Sequence, residues 1–96
     1  MAAYVLGELI DVTDSAGFEE YRRRVPATIE RYGGRFIVRR GRMETLDGAW
    51  QPTGLVVIEF PSPEQANTWY DSAEYRELEA LRRRTARINL VLVDGV

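Results

Sequence analysis

A chain of 96 residues with a net charge of −2, and with neither histidine nor cysteine, is bounded before any element is read. The length fits one domain, and the acidic balance argues against general nucleic-acid binding. The two missing side chains exclude histidine- and cysteine-based triads, disulfides, zinc sites of the usual N/S type and His- or Cys-ligated haem.

The opening residues carry no basic segment followed by a long apolar run, and no later stretch could span a bilayer as a helix. A cytoplasmic protein is expected, and the lack of cysteine fits a reducing compartment. The first strand spans Ala3 to Asp11 and is largely apolar on both faces. Asp14 is placed to cap the helix that follows. In that helix Phe18, Tyr21, Val25, Ile29 and Tyr32 recur every three or four residues. Gly33-Gly34 ends it. Pro26 inside the helix frees the carbonyl of Arg22, so a kink or a division is expected there.

The second strand starts at Arg35 and is expected to continue past Arg40 and a bulge at Gly41 to Leu46. Asp47-Gly48 is a turn signal, and Trp50 follows in an irregular connection where an indole calls for a second subunit to pack on. The third strand, Leu55 to Phe60, is a nearly continuous apolar run broken by Glu59. Ser62, Pro63 and Gln65 form a helix start with a capping box. This helix buries Ala66, Trp69 and Tyr70 and breaks at Asp71-Ser72. It resumes with Tyr75, Leu78, Leu81 and Thr85 inward, and with Arg82, Arg83 and Arg84 on the outer face. Arg87 to Val93 make the last strand.

Two βαβ-like halves joined by a hairpin specify an α+β, ferredoxin-like βαββαβ domain over residues 1–96. Its antiparallel sheet has the order 4-1-3-2, with the helices on one face. Alternation groups Tyr4, Leu6, Ile10, Leu90 and Leu92 on one face and Val5, Leu9, Val56, Ile58 and Val91 on the other. Neither set suits a wetted surface, so a twofold homodimer packing sheet on sheet is expected.

Four segments carry a family resemblance: Tyr4-Val5-Leu6-Gly7-Glu8, Thr28-Ile29-Glu30-Arg31-Tyr32-Gly33-Gly34-Arg35, Leu55-Val56-Val57-Ile58-Glu59-Phe60-Pro61 and Trp69-Tyr70-Asp71-Ser72-Ala73-Glu74-Tyr75. In that order they resemble the bacterial family called domain of unknown function 1330, over almost the whole chain. The resemblance implies a ferredoxin-like fold assembled as a dimeric α/β barrel, and no established activity. Relatives by fold include cofactor-free antibiotic-biosynthesis monooxygenases and haem-degrading monooxygenases. The haem-degrading branch uses a histidine ligand, which this chain lacks.

Glu59 interrupts an apolar strand, as either a strand-end carboxylate reaching an arginine or a general base, and it is the one catalytic candidate. Arg39 and Arg40 point to opposite faces of their strand, so one faces inward as an ion-pair partner or an anion clamp. The aromatics are mostly core. Trp69 and Tyr75, which flank the helix break, are the expected ligand contacts. A ligand site is therefore expected between helices and sheet under Pro26, with walls Tyr21, Trp69 and Tyr75 and polar groups Arg39 and Glu59. No metal site, cofactor-binding motif or phosphate loop is present. The expected function is a homodimeric small-molecule-binding protein, or by fold analogy a cofactor-free monooxygenase- or isomerase-like enzyme. The alternative is a non-catalytic dimeric structural or interaction module.

Overall fold

Apolar alternation, two capped helical stretches and one long loop produce seven elements in a computed structural model that describes residues 1–96. They are β1 (Ala3–Val12), α1 (Ser15–Arg31), β2 (Arg35–Arg39), β3 (Leu55–Phe60), α2 (Pro63–Asp71), α3 (Ala73–Thr85) and β4 (Ala86–Asp94). The sheet runs β2-β3-β1-β4 with every neighbour antiparallel, which is the order 4-1-3-2 read from the other edge. The fold is the ferredoxin-like arrangement, with the second helix divided at Ser72. Ser72 manages both ends of that division. Its hydroxyl donates to the carbonyl of Trp69 at 2.7 Å and accepts the amide of Tyr75 at 3.2 Å.

Directly opposed residues of paired strands share a face of the sheet. Val5 stands opposite Ile58 and Leu92, and Gly7 opposite Val56 and Leu90, on the side that the helices cover. Phe18, Val25, Ile29, Trp69, Tyr75 and Leu78 fill that side from above. Leu6 stands opposite Val57 and Val91 on the other side. The last strand is therefore assigned to faces the other way round from the expectation: Leu90 and Leu92 belong with Val5, and Val91 belongs with Leu6. Alternation gives the parity within a strand, and only the register gives the parity between strands.

No helix covers this second face. Leu6, Val38, Val91 and Val93 on it are each 40–59% exposed. The loop after β2 reaches its margin, where the Trp50 indole N–H donates to Glu8 at 2.8 Å while the ring stays 61% exposed.

Two further expectations, both about β2, are corrected. β2 ends at Arg39 rather than at Leu46, because Arg40 turns into the left-handed region at φ 57°. The bulge falls between Phe36 and Val38, not at Gly41. Of the kink or division expected at Pro26, the division does not occur: α1 runs from Ser15 to Arg31 through it. The carbonyl of Arg22 that the proline leaves unbonded accepts a hydrogen bond from the Arg39 guanidinium at 3.1 Å. The lost helical bond is thus replaced from the neighbouring strand.

Candidate functional site

A cavity of about 400 Å³ lies between α1 and the sheet. Phe18, Tyr21 and Val25 form its helical wall, spaced so that all three point down from one face of α1. Gly7, Val56, Ile58 and Leu90 form its floor, and Trp69 contributes from α2. Gly7 is required at the centre of this floor. A Cβ there would come within 2.8 Å of a Val56 methyl and 3.1 Å of a Leu90 methyl. The remaining wall comes from the far end of β2 and the loop after it, including Phe36, Arg39, Arg40 and Met43.

Three of the expected residues, Tyr21, Trp69 and Arg39, meet at this cavity. Tyr75 is one layer behind. It is fully buried, with its hydroxyl 2.9 Å from that of Tyr21 and its ring centroid 4.3 Å from that of Trp69. Glu59 is not part of the cavity. Ile58 faces the helices, so its neighbour Glu59 faces away, where it accepts from Arg35 at 3.0 Å and from the Tyr4 hydroxyl at 3.4 Å. The general-base role considered for Glu59 therefore draws no support from this cavity. Its partners make it an ion pair near the end of β3.

Arg82 is the residue that sequence reasoning misplaced. It lies seven positions after Tyr75 and four after Leu78, on the inward stripe of α3, and only 5% of it is exposed. Its Nε–H has no hydrogen-bond partner, and its closest carboxylate, Glu79, is 3.9 Å away. The signal was present in the spacing, but the triple-arginine run read as a solvated face. The Arg82 charge acts on both buried phenols.

Burial pushes the Tyr21 phenol well above the usual tyrosine range, and the adjacent Tyr75 oxygen adds to this. Burial likewise raises Tyr75, against the opposing pull of the Tyr21 hydroxyl and Arg82. Both are therefore neutral hydrogen-bonding groups at neutral pH. A raised folded value means that stability is intact below the unfolded phenol's value, about pH 10, and falls as pH rises beyond it. The expected result is a decline in the urea midpoint above about pH 10 that is shallower in Tyr21→Phe, which removes one of the titrating groups. Equal slopes for parent and variant between pH 9 and 11 would contradict this.

No cluster of three or more acidic, histidine or cysteine side chains gathers anywhere to hold a metal ion. No helix is long and apolar enough to cross a membrane.

The family model described as domain of unknown function (DUF1330) matches residues 2–96. Among solved structures, a protein of unknown function from Rhodopseudomonas palustris superposes with a TM-score of 0.79 at 16% identity, over 99% of this chain and 82% of that one. SnoaB, a cofactor-independent oxygenase from Streptomyces nogalater, gives 0.69 at 14% identity, over 99% and 93%. An ethyl tert-butyl ether d (ethd) family protein from Bacillus halodurans gives 0.64 at 12% identity, over the full length of both. At such identities the likeness shows the fold alone. No curated protein matches the sequence.

Proposed function

The chain belongs to the DUF1330 family, whose function is unknown, and from that premise we propose that it is a cytoplasmic homodimer that binds an apolar small molecule between α1 and the sheet. The observation that carries this reading is the cavity itself. About 400 Å³ of space bounded mainly by aromatic and aliphatic side chains, with a few polar groups at one end, is the usual form of a small-molecule site. A domain of 96 residues gains nothing in stability from a void of this size, since each lining side chain forfeits packing contacts. The second, uncovered apolar face supports the homodimer. Joining two such faces buries both without any other partner.

The likeness to a cofactor-independent oxygenase makes cofactor-free oxygenation of the bound molecule, with dioxygen as the oxidant, the reaction class to assay first. The Arg39 guanidinium is the polar group open to the bound molecule, since the Tyr21 hydroxyl is paired with Tyr75 and the Trp69 indole N–H with Thr28. The experiment is a thermal-shift screen of ring-bearing and aliphatic metabolites against the parent and Val56→Phe, which fills the floor. A ligand at a hundred times its dissociation constant adds about 2.7 kcal/mol, a rise of roughly 10–20 °C for a domain this small. The parent should show such rises and Val56→Phe should not. Equal shifts in both, or none in the parent across the library, would contradict the proposed site.

A further inference from the structure

Every charged side chain that borders the cavity is an arginine: Arg22, Arg39 and Arg40. No carboxylate lines it. Arg22 and Arg40 are each partly answered by Glu19, at 3.9 and 3.8 Å. Arg39 has no carboxylate partner, although it is the most firmly held of the three. One of its terminal N–H groups donates to the Arg22 carbonyl, and its guanidinium lies over the Phe36 ring at 4.6 Å from the centroid. A guanidinium carries five N–H donors in a planar fork, so one bond to a carbonyl leaves most of the fork free.

The way Arg39 is held begins in the sequence of another element. Pro26 has no amide to give to the carbonyl four residues earlier, and that carbonyl belongs to Arg22. Had residue 26 carried an N–H, the Arg22 oxygen would be inside the helix ladder. Instead it faces β2 and fixes Arg39 at the cavity wall. A cation oriented in advance loses little freedom when a partner arrives.

We infer that the molecule bound in this cavity is an apolar carboxylate, its hydrocarbon part under α1 and its anionic group on Arg39, with Pro26 acting as a positioning residue for that arginine. This rests on the cavity being the binding site. The inference adds a sign to it, because a cationic rim with no acid in it disfavours cations and rewards anions over neutral molecules of the same shape.

The test is titration calorimetry at low ionic strength with two matched pairs of probes, 2-naphthoate with 2-naphthylmethanol and octanoate with 1-octanol. In the parent, the acid of at least one pair should bind tenfold or more tighter than its alcohol. Arg39→Gln should erase that difference and leave the alcohol's affinity within about twofold. Arg84→Gln, which removes an arginine outside the cavity, should leave it intact. Pro26→Ala restores the helical amide and keeps every charge. It should fold at least as stably as the parent and reduce the acid-to-alcohol ratio several-fold. Alcohols binding as tightly as acids in the parent, or a preference that survives Arg39→Gln, would overturn the anionic assignment and leave the cavity standing. An unchanged ratio in Pro26→Ala would overturn the positioning role. Failure of all four probes to bind the parent would overturn the cavity reading, and this inference with it.

Discussion

Leu6→Asp and Val91→Asp, each made alone, should abolish the proposed sheet-on-sheet dimer without unfolding the subunit. These side chains stand opposite one another on the face of the sheet that no helix covers, and Val57 flanks Leu6 on the other side. In one subunit they are substantially exposed, so a carboxylate there meets water and the domain keeps its core. In a sheet-on-sheet dimer the same carboxylate lies near the middle of a contact that must bury roughly 1,200 Å² or more in total. An unpaired charge in such a place costs several kcal/mol, enough to weaken association by a factor of about 10³ or more. Trp50, held at the margin by Glu8, should add a smaller contribution. Sedimentation equilibrium at micromolar concentration reads both effects. A monomeric parent, or a variant that dimerises with the parent's affinity, would refute the assembly.

The other large effect is on stability. Trp69→Ala should cost about 3–5 kcal/mol, a large share of what holds a small domain together. The indole is 1% exposed, and its ring centroid lies 5.4 Å from that of Phe60 and 4.3 Å from that of Tyr75. Its N–H donates to the Thr28 hydroxyl of α1 at 3.0 Å, so it ties α2 to α1 above the sheet. Trp69→Phe keeps most of the packing and leaves Thr28 still bonded to the Val25 carbonyl, so its cost should be well under half as large. Urea unfolding separates the two. A loss below about 1 kcal/mol for Trp69→Ala would show that the layer above the cavity collapses to fill the gap, and that the cavity is not rigidly built.

Much of this architecture is legible in the chain because local signals agree with it. Asp14, Ser62 and Ser72 each cap the helix that their positions announce, through bonds to Gly17, Gln65 and Tyr75. The helical stripes place Phe18, Tyr21, Val25, Ile29, Trp69, Tyr75 and Leu78 inside, where they lie. What the sequence could not give was pairing. Whether Glu59 faces the cavity depends on the register of β3 against β1, and a shift of one residue would have turned it inward. The faces of β4 depend on register in the same way.

The capping box illustrates a subtler limit. Gln65 stands at the right position, but its side-chain amide donates to the carbonyl of Tyr32 in the neighbouring turn rather than back to Ser62. The hydrogen bond from Arg39 to the Arg22 carbonyl is a tertiary replacement for the local loss at Pro26, joining residues seventeen apart, and no periodicity reports it. Arg82 shows the reverse case, in which helical spacing pointed inward and the charge of the side chain argued against it. The cavity is a property of assembled surfaces. It could be anticipated from Pro26 and the break at Ser72 as a place, but not as a volume.

The most direct test of the central claim, a ligand held between α1 and the sheet, is a nitrogen–proton correlation spectrum recorded as 2-naphthoate is added. The protein has two tryptophans and hence two indole N–H signals, which Trp50→Phe assigns. Trp69 borders the cavity and Trp50 sits at the margin of the opposite face. A naphthalene ring under α1 should shift the Trp69 signal progressively to saturation and leave the Trp50 signal in place. A saturating shift of Trp50 with Trp69 unmoved would put the binding site on the other side of the sheet and contradict the account.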